Sequence, residues 1–196
     1  MQRALPEKMR DALQWAEPFS GVCFRNVTLK FANFRDILSA KGSFLAGRRF
    51  NFKGAFEVLY LSCDLHTCLE KTTSSLQRDG FETAITLPRL VIGIEVNLQR
   101  MLNLTDGTLR RRLGITSRML TAPNWVKAQN VDNKEAFTQQ LGRLAREAGF
   151  EAILVPSSVT RGKNLDIFPD RLLPGSSLKI INRHLLPLPK HGSQTT

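Results

Sequence analysis

The stretch from Gly47 to Glu70 contains three residue types that together could act on an anionic substrate built on a sugar. Arg49 lies in a glycine-flanked turn, Tyr60 ends an apolar strand, and Glu70 belongs to the predicted helix that follows. Arginine binds phosphate through a planar fork of donors. A carboxylate can stabilise the oxocarbenium-like transition state that forms when a bond to a sugar C1 breaks, and tyrosine offers a flat amphipathic face to a ring. The three residues therefore suit an anionic substrate whose reaction develops positive charge.

The same stretch resembles the start of the RES-domain family of bacterial proteins. The family pattern is a Gly-Arg-aromatic-Asn turn, a short strand that ends in Tyr, and a helix that carries Glu. These features fall here at Gly47–Asn51, Val58–Tyr60 and Glu70. A Pro-Ser pair after an apolar strand completes the family pattern, and Pro156–Ser157 supplies it.

Two positions depart from the family pattern, and the resemblance covers roughly residues 20 to 182. Phe50 stands where Trp is usual, and Arg48 stands where Gly is usual. We therefore expect residues 1–19 to form an N-terminal helical extension, residues 20–182 to form the RES domain, and residues 183–196 to form a flexible C-terminal tail.

The resemblance implies a single α+β domain with an ADP-ribosyltransferase-like split β-core flanked by helices. It also implies cleavage of the nicotinamide–ribose bond of NAD+, by hydrolysis or phosphorolysis, which depletes NAD. In such a site Arg49, helped by Arg25, would bind the diphosphate, and Tyr60 would pack against the nicotinamide half. Glu70 would hold the ribose hydroxyls and stabilise the cation. Ser157 would donate a hydrogen bond to the substrate or to Glu70.

Other catalytic and binding motifs are absent from the sequence. There is no G-x-S-x-G elbow and no histidine in a recognisable hydrolase motif, so a serine hydrolase is not indicated. A glycine-rich phosphate loop is also missing, so arginine side chains would have to hold the pyrophosphate. Cys23, Cys63 and Cys68 form no metal-ligand pattern, and we expect no metal and no cofactor beyond NAD+ as the substrate. Ser158 could donate the hydrogen bond to the substrate or to Glu70 in place of Ser157.

The charge of the chain predicts anionic partners. Lysine and arginine exceed aspartate and glutamate by 28 − 17 = +11, with a sequence pI near 10.2. The resemblance implies that the protein is a toxin with an antitoxin or immunity protein as its partner. Because complementary charge speeds association, we expect this partner to be acidic. The run Arg110–Arg112 is either a solvated face or a docking surface for such a partner. Direct nucleic-acid binding is less favoured because aromatic residues are not interleaved with the arginines.

The family commonly acts as the toxin of a toxin–antitoxin pair, but two other functions remain open from the sequence. The first is a mono-ADP-ribosyltransferase that modifies a macromolecule, and the second is a basic nucleic-acid-binding module without enzyme activity. The sequence contains no apolar run of transmembrane length and no signal-peptide pattern. We therefore expect a cytoplasmic protein that does not enter a membrane.

Apolar periodicity and capping residues predict the elements that position these side chains. Helices are expected at residues 7–15, 64–78, 107–113, 116–120 and 133–149, and strands at 22–25, 57–62, 90–96, 150–155, 164–168 and 177–181. Asp64 and Asn133 are the expected N-caps of the second and last helices. The helix at 64–78 is expected to bury Leu65, Cys68, Leu69 and Leu76, with Glu70 at the edge of the core. Helical spacing also predicts a core role for Phe31, Phe34, Ile37 and Leu38.

Overall fold

The computed structural model describes residues 4–33, 35–78, 88–121 and 125–186, and the backbone alone for residues 75–78. The predicted roles of Phe34 and Leu76, and most of the predicted tail, lie outside the described residues or side chains. Helices occupy α1 Leu5–Asp11, α2 Lys41–Ala46, α3 Leu65–Arg78, α4 Gly107–Leu113, α5 Ser117–Thr121, α6 Trp125–Asn130 and α7 Phe137–Ala148. Strands occupy β1 Glu17–Thr28, β2 Leu59–Ser62, β3 Arg89–Asn103, β4 Ala152–Pro156, β5 Lys163–Ile167 and β6 Ser177–Ile180.

The strands form two three-stranded halves that are joined at two narrow places. In one half, β3 pairs antiparallel with β1 on one side and with β6 on the other. In the second half, β5 pairs antiparallel with both β2 and β4. The halves meet where Phe24 pairs with Ser62, and where residues 101–103 of β3 run parallel to residues 152–154 of β4. The expected single α+β domain with a split β-core is confirmed.

Strand alternation assigns the two faces of the β2–β5–β4 half to different surroundings. Leu59 and Leu61 of β2 and Leu165 and Ile167 of β5 are fully buried in an apolar cluster that also contains side chains of β1 and β3. The residues between them point to the opposite face, because successive strand side chains alternate. On β2 and β5 the opposite face carries polar groups, and this part of the sheet forms the floor of the candidate site described below.

Helix α3 buries a different face from the one that its apolar residues predict. Leu65 and Leu69 are 48% and 45% exposed, so their predicted burial is wrong, whereas Cys68 is buried as expected. Thr67 is fully buried because its hydroxyl is satisfied by Asp64, the helix cap, whose carboxylate also accepts from the Thr67 N–H at 2.7 Å. Local polar satisfaction therefore sets the orientation of this helix.

Other elements also differ from prediction: β1 and β3 are longer than the predicted strands, and α2 was not predicted. Asn133 does not cap the long helix, because its backbone is left-handed, with φ of 47°. The helix begins at Phe137, and the Gln139 side chain accepts from the Ala136 N–H at 2.9 Å. Helix α6 was not predicted. Phe31 is 49% exposed in a 3₁₀ turn rather than in the core, while Ile37 is buried as expected.

Helix α7 packs closely on the turn that carries Arg49. A Cβ atom built on Gly142 would lie 2.0 Å from the Phe50 carbonyl oxygen and 3.1 Å from the Phe50 Cβ. The side chain of Phe50 is itself buried in the helical side of the core. Gly142 therefore permits the close approach of helix and turn. Among the described residues, no helix is long and apolar enough to cross a membrane.

We predict that Gly142→Ala destabilises the protein by about 3 kcal/mol, because the added methyl group meets backbone that cannot move independently. Urea unfolding at constant m-value measures the change. Gly42→Ala is the matched control, since a Cβ at that helical position meets nothing within 4 Å. The control should be neutral or stabilising by up to about 1 kcal/mol. Equal effects of the two substitutions would contradict the packing described here.

Candidate active site

A buried hydrogen-bond network fixes the backbone of the turn that carries Arg49. The Asn51 side chain donates to the carbonyls of Ser43 and Phe56 at 2.8 and 3.1 Å. From α7, Gln139 donates to the carbonyl of Arg48 at 3.0 Å. Gly47 has a φ of 66°, a conformation that favours glycine. These contacts hold both ends of the turn in place.

The hydroxyl of Tyr60 is part of the same network. It accepts from the Phe50 N–H at 3.0 Å and donates to Asn51 Oδ1 at 2.9 Å. Burial, together with the nearby Asp166 carboxylate, raises the pKa of Tyr60 well above its usual value of 10. The hydroxyl therefore stays protonated and orders the turn, while the ring of Tyr60 faces a cavity.

Arg49 projects from this turn with its guanidinium oriented by two acceptors. Nη1 donates to the Leu120 carbonyl of α5 at 3.2 Å, and Nη2 donates to the Ser158 hydroxyl at 2.8 Å. The loop after β4 and the end of α5 thus hold the guanidinium at the rim of the cavity. An arginine presented in this way is preorganised to bind an anion.

The cavity has a volume of about 480 Å³ and lies between this turn, α3 and the polar face of the β2–β5–β4 half. This volume is within the range of about 300–1,000 Å³ that is usual for small-molecule sites. Its lining combines the aromatic side chains of Tyr60 and Trp125 with one acidic residue, Asp166, and the basic residues Arg25, Arg48, Arg49, Lys71 and Arg89. Among the described residues, five basic side chains line this cavity against one acidic side chain, and this excess favours an anionic ligand.

The floor of the cavity is a polar stripe on two paired strands. In β5, Asn164 and Asp166 stand opposite Ser62 and Tyr60 of β2. Asn164 Oδ1 accepts from the Ser62 hydroxyl at 3.3 Å and from Lys71 Nζ at 3.1 Å. Lys71 of α3 thus reaches down to the strands, so the helix and the sheet jointly form the floor.

Desolvation alters the pKa values of both Asp166 and Lys71, and the opposite charge of the neighbour opposes the change in each case. Desolvation raises the pKa of Asp166 from 3.8 to about 7, although the charges of Lys71 and Arg49 oppose the rise. Desolvation lowers the pKa of Lys71, and the charge of Asp166 opposes that change. A carboxyl group whose pKa lies near neutrality is characteristic of functional sites.

The structure brings Arg25, Arg49 and Tyr60 together around this cavity, but it places Glu70 and Ser157 elsewhere. Glu70 is half-buried and lines a neighbouring cavity of about 520 Å³ together with Asp64, His66, Thr67, Val159, Thr160, Arg161 and Gly162. Val159 contributes to both cavities, so the two adjoin at that side chain. Glu70 therefore lies in the cavity that adjoins the first one, and not among the residues that line the first cavity.

Ser157 is buried and orders the loop between the two cavities. Its hydroxyl accepts from the N–H groups of Val159 and Thr160 at 3.2 and 3.3 Å. Its own N–H donates to the Gly162 carbonyl at 2.9 Å. The adjacent Ser158 is the serine that lines the first cavity and contacts Arg49. Ser157 thus shapes the loop that carries Ser158.

Arg25 lines the cavity but is also engaged with the chain. Its guanidinium donates to the carbonyls of Ile37 and Ser39, the latter at 3.0 Å from both terminal nitrogens. Burial lowers the pKa of Arg25 to about 10, so the group remains charged at neutral pH. It adds positive potential to the cavity and anchors the segment that precedes α2.

Sequence reasoning missed several residues of this cavity, among them Lys71, Arg89, Trp125, Asn164 and Asp166. A signal for Asp166 was present, because Asn164 and Asp166 alternate with Leu165 and Ile167 in the strand predicted at residues 164–168. Two polar residues on one face of such a strand indicate that the face borders a cavity or a polar network. Lys71 and Trp125 gave no such signal.

The arginine run after β3 contributes to the fold instead of to the cavity. Arg110 donates to the Leu104 carbonyl at 2.7 Å, and the guanidinium of Arg112 lies 4.6 Å from the centroid of the Trp15 ring. Arg111 donates to the Thr108 hydroxyl at 3.0 Å. Within the described ranges, no group of three or more His, Cys, Asp or Glu residues is placed to hold a metal ion.

Comparisons with known proteins identify the family to which this domain belongs. The RES domain family matches residues 23–188, and the chain therefore belongs to the RES-domain family. The fold is similar to that of a chain in the crystal structure of the M. tuberculosis MbcT–MbcA toxin–antitoxin complex. That similarity has a TM-score of 0.68 at 21% sequence identity and covers 91% of each chain. A search among curated proteins finds no match.

We predict that Asp166→Asn stabilises the folded protein above neutral pH. Because its folded pKa is about 7 and its ordinary value is 3.8, stability is lost as pH rises through this interval. The loss reflects the cost of ionising a buried carboxyl and amounts to about 2–4 kcal/mol. The free energy of unfolding of the variant should therefore exceed that of the wild type at pH 8 and approach it near pH 4.

Urea unfolding between pH 4 and pH 8 tests this expectation, with Asp132→Asn as the control at an exposed carboxylate. The control profile should run parallel to the wild type. A parallel profile for Asp166→Asn would show that Asp166 carries no buried charge at pH 8.

Proposed function

We propose that the protein cleaves the nicotinamide–ribose bond of NAD+, as a glycohydrolase or a phosphorylase. The observation that carries the proposal is the cavity that, among the described residues, is lined by five basic side chains, by the aromatic side chains of Tyr60 and Trp125 and by the buried carboxyl group of Asp166. A dinucleotide offers the matching parts, namely a diphosphate, sugar hydroxyls and a flat cationic base. The RES-family membership and the resemblance on which the sequence prediction rests support the same substrate.

In this proposal Arg49 binds the diphosphate, and the Ser158 hydroxyl adds a polar contact beside it. Arg25 contributes positive potential and holds the neighbouring segment. The nicotinamide half lies against Tyr60, whose hydroxyl is occupied by the turn and whose ring is therefore held rigidly. The arrangement fixes the substrate at its two ends and leaves the bond to be broken between them.

Bond cleavage itself needs little proton transfer. The electron pair of the C1′–N1 bond leaves with nicotinamide, which becomes neutral without gaining a proton. The ribose then carries an oxocarbenium-like charge, which a nearby carboxylate stabilises. Glu70 supplies that charge from the side where the two cavities adjoin at Val159. Water or phosphate attacks C1′, and attacking water releases its proton.

A toxin role follows from depletion of NAD, and we propose an acidic antitoxin as the partner. The structural relative comes from a toxin–antitoxin complex. The chain has a net charge of +11, and five basic residues line the candidate site. A partner with acidic side chains would neutralise this surface and block access to the cavity.

The proposal is tested by incubating the purified chain with NAD+, with and without inorganic phosphate, and resolving the products by chromatography. We expect nicotinamide release by the wild type. Arg49→Ala should lower kcat/KM by at least ~100-fold, because a charge-assisted contact to phosphate is lost. Glu70→Gln should lower kcat by a similar factor with KM little changed, because its contact forms in the transition state. Arg100→Ala is the control at an exposed arginine that does not line the cavity.

The second product identifies the acceptor. ADP-ribose indicates water, and its 1-phosphate ester indicates phosphate. Label from NAD+ that appears on added protein or nucleic acid would favour the mono-ADP-ribosyltransferase. An absence of NAD+ loss in every condition, with folded protein, would contradict the proposed activity.

A further inference from the structure

Asp166 is an unusual carboxylate for this chain because one of its oxygens is buried without a partner. The residue is 1% exposed, and among the described residues Oδ1 has no hydrogen-bond partner. The buried Glu151 shows the contrast, since its carboxylate accepts from the N–H groups of Gln99, Arg100 and Leu173 at 2.7–2.9 Å. Native proteins rarely leave a buried acceptor unsatisfied, and an exception calls for an explanation.

The position of Asp166 indicates what the missing partner is. Its side chain faces the cavity floor, opposite Tyr60 across the β2–β5 pair and beside Asn164. It is the one acidic residue among the residues that line this cavity. A ligand that packs on the Tyr60 ring therefore lies next to the Asp166 carboxylate. A ligand with a hydrogen-bond donor at this position would satisfy the unpaired acceptor.

We propose that Asp166 is a substrate-binding residue whose Oδ1 accepts a hydrogen bond from a hydroxyl of the nicotinamide-side ribose. This inference rests on the proposed function and refines it, because it transfers the ribose contact from Glu70 to Asp166. Carboxylates commonly bind ribose hydroxyls in dinucleotide sites. Glu70, at the side of the cavity, retains the electrostatic role on the cation.

With this assignment, the rim and the floor of the cavity contact different parts of the ligand. Arg49 at the rim contacts the diphosphate, which ADP and ADP-ribose share. Asp166 at the floor contacts the second ribose, which ADP lacks. The two contacts can therefore be separated by comparing ligands that contain one or both groups.

Isothermal titration of ADP-ribose and ADP at pH 8 provides the test, using the wild type, Asp166→Asn, Arg49→Ala and the control Asp132→Asn. We expect Asp166→Asn to weaken ADP-ribose binding by about 10-fold or more and ADP binding by less than 2-fold, since a charge-assisted hydrogen bond is lost. Arg49→Ala should weaken both ligands. Unchanged ADP-ribose affinity in Asp166→Asn, with both affinities reduced in Arg49→Ala, would overturn the role of Asp166 alone. Unchanged affinities in both variants would overturn the diphosphate site as well.

A pH series on the wild type gives a second readout, besides the affinities at pH 8. The charged and titratable groups that act on Asp166 are Lys71 from α3, Arg49 from the turn, and Tyr60 and Cys63 from β2 and its end. Protonation of Asp166 removes the acceptor charge, so ADP-ribose affinity should fall as pH decreases below about 7. The same series with Asp166→Asn should be flat by comparison, and a matching fall in that variant would contradict the assignment.

Discussion

The hydrogen bonds that hold the Arg49 turn are the constraint on which the rest of the site depends. A turn arginine has many rotamers, and it can bind an anion tightly only if the backbone beneath it is fixed. Here Tyr60 and Gln139 satisfy backbone groups of the turn from a strand and from α7. The Asn51 side chain, which accepts from Tyr60, ties the turn to the carbonyls of Ser43 and Phe56. The close contact at Gly142 adds the helix to the same unit. The cavity rim is thus an extension of the core rather than a loose loop.

The floor of the cavity differs from the rim, where hydrogen bonds satisfy the backbone, because the floor contains a buried polar group that has no such partner. One face of β5 is apolar and fully buried, while the other presents Asn164 and Asp166 to the cavity. Removing a carboxylate from water costs free energy unless hydrogen bonds replace the water, and within the described part of the chain Asp166 Oδ1 has no such bond. A group that destabilises the free protein and suits a ligand is the expected signature of a binding site.

The sequence predicted most elements because their signals are local. Alternation and capping residues located β3, β5, α4 and the cap at Asp64, and the family pattern located the Arg49 turn. The face of α3 could not be predicted from apolar periodicity, because polar contacts of Thr67 and Lys71 outweigh the two exposed leucines. The set of residues that line the cavity could not be predicted either, because Lys71, Trp125 and Asp166 belong to three elements that come together only in the folded chain. Long-range pairing, rather than local pattern, decides which of two adjoining cavities receives each side chain.

The most direct test of the central claim is a crystal structure with a non-cleavable NAD+ analogue in which a methylene group replaces the ring oxygen of the nicotinamide-side ribose. The account predicts the diphosphate within hydrogen-bond distance of Arg49, the nicotinamide half against Tyr60, and a hydroxyl of its sugar on Asp166 Oδ1. An analogue that binds only in the neighbouring cavity, with the Arg49 cavity empty, would contradict it.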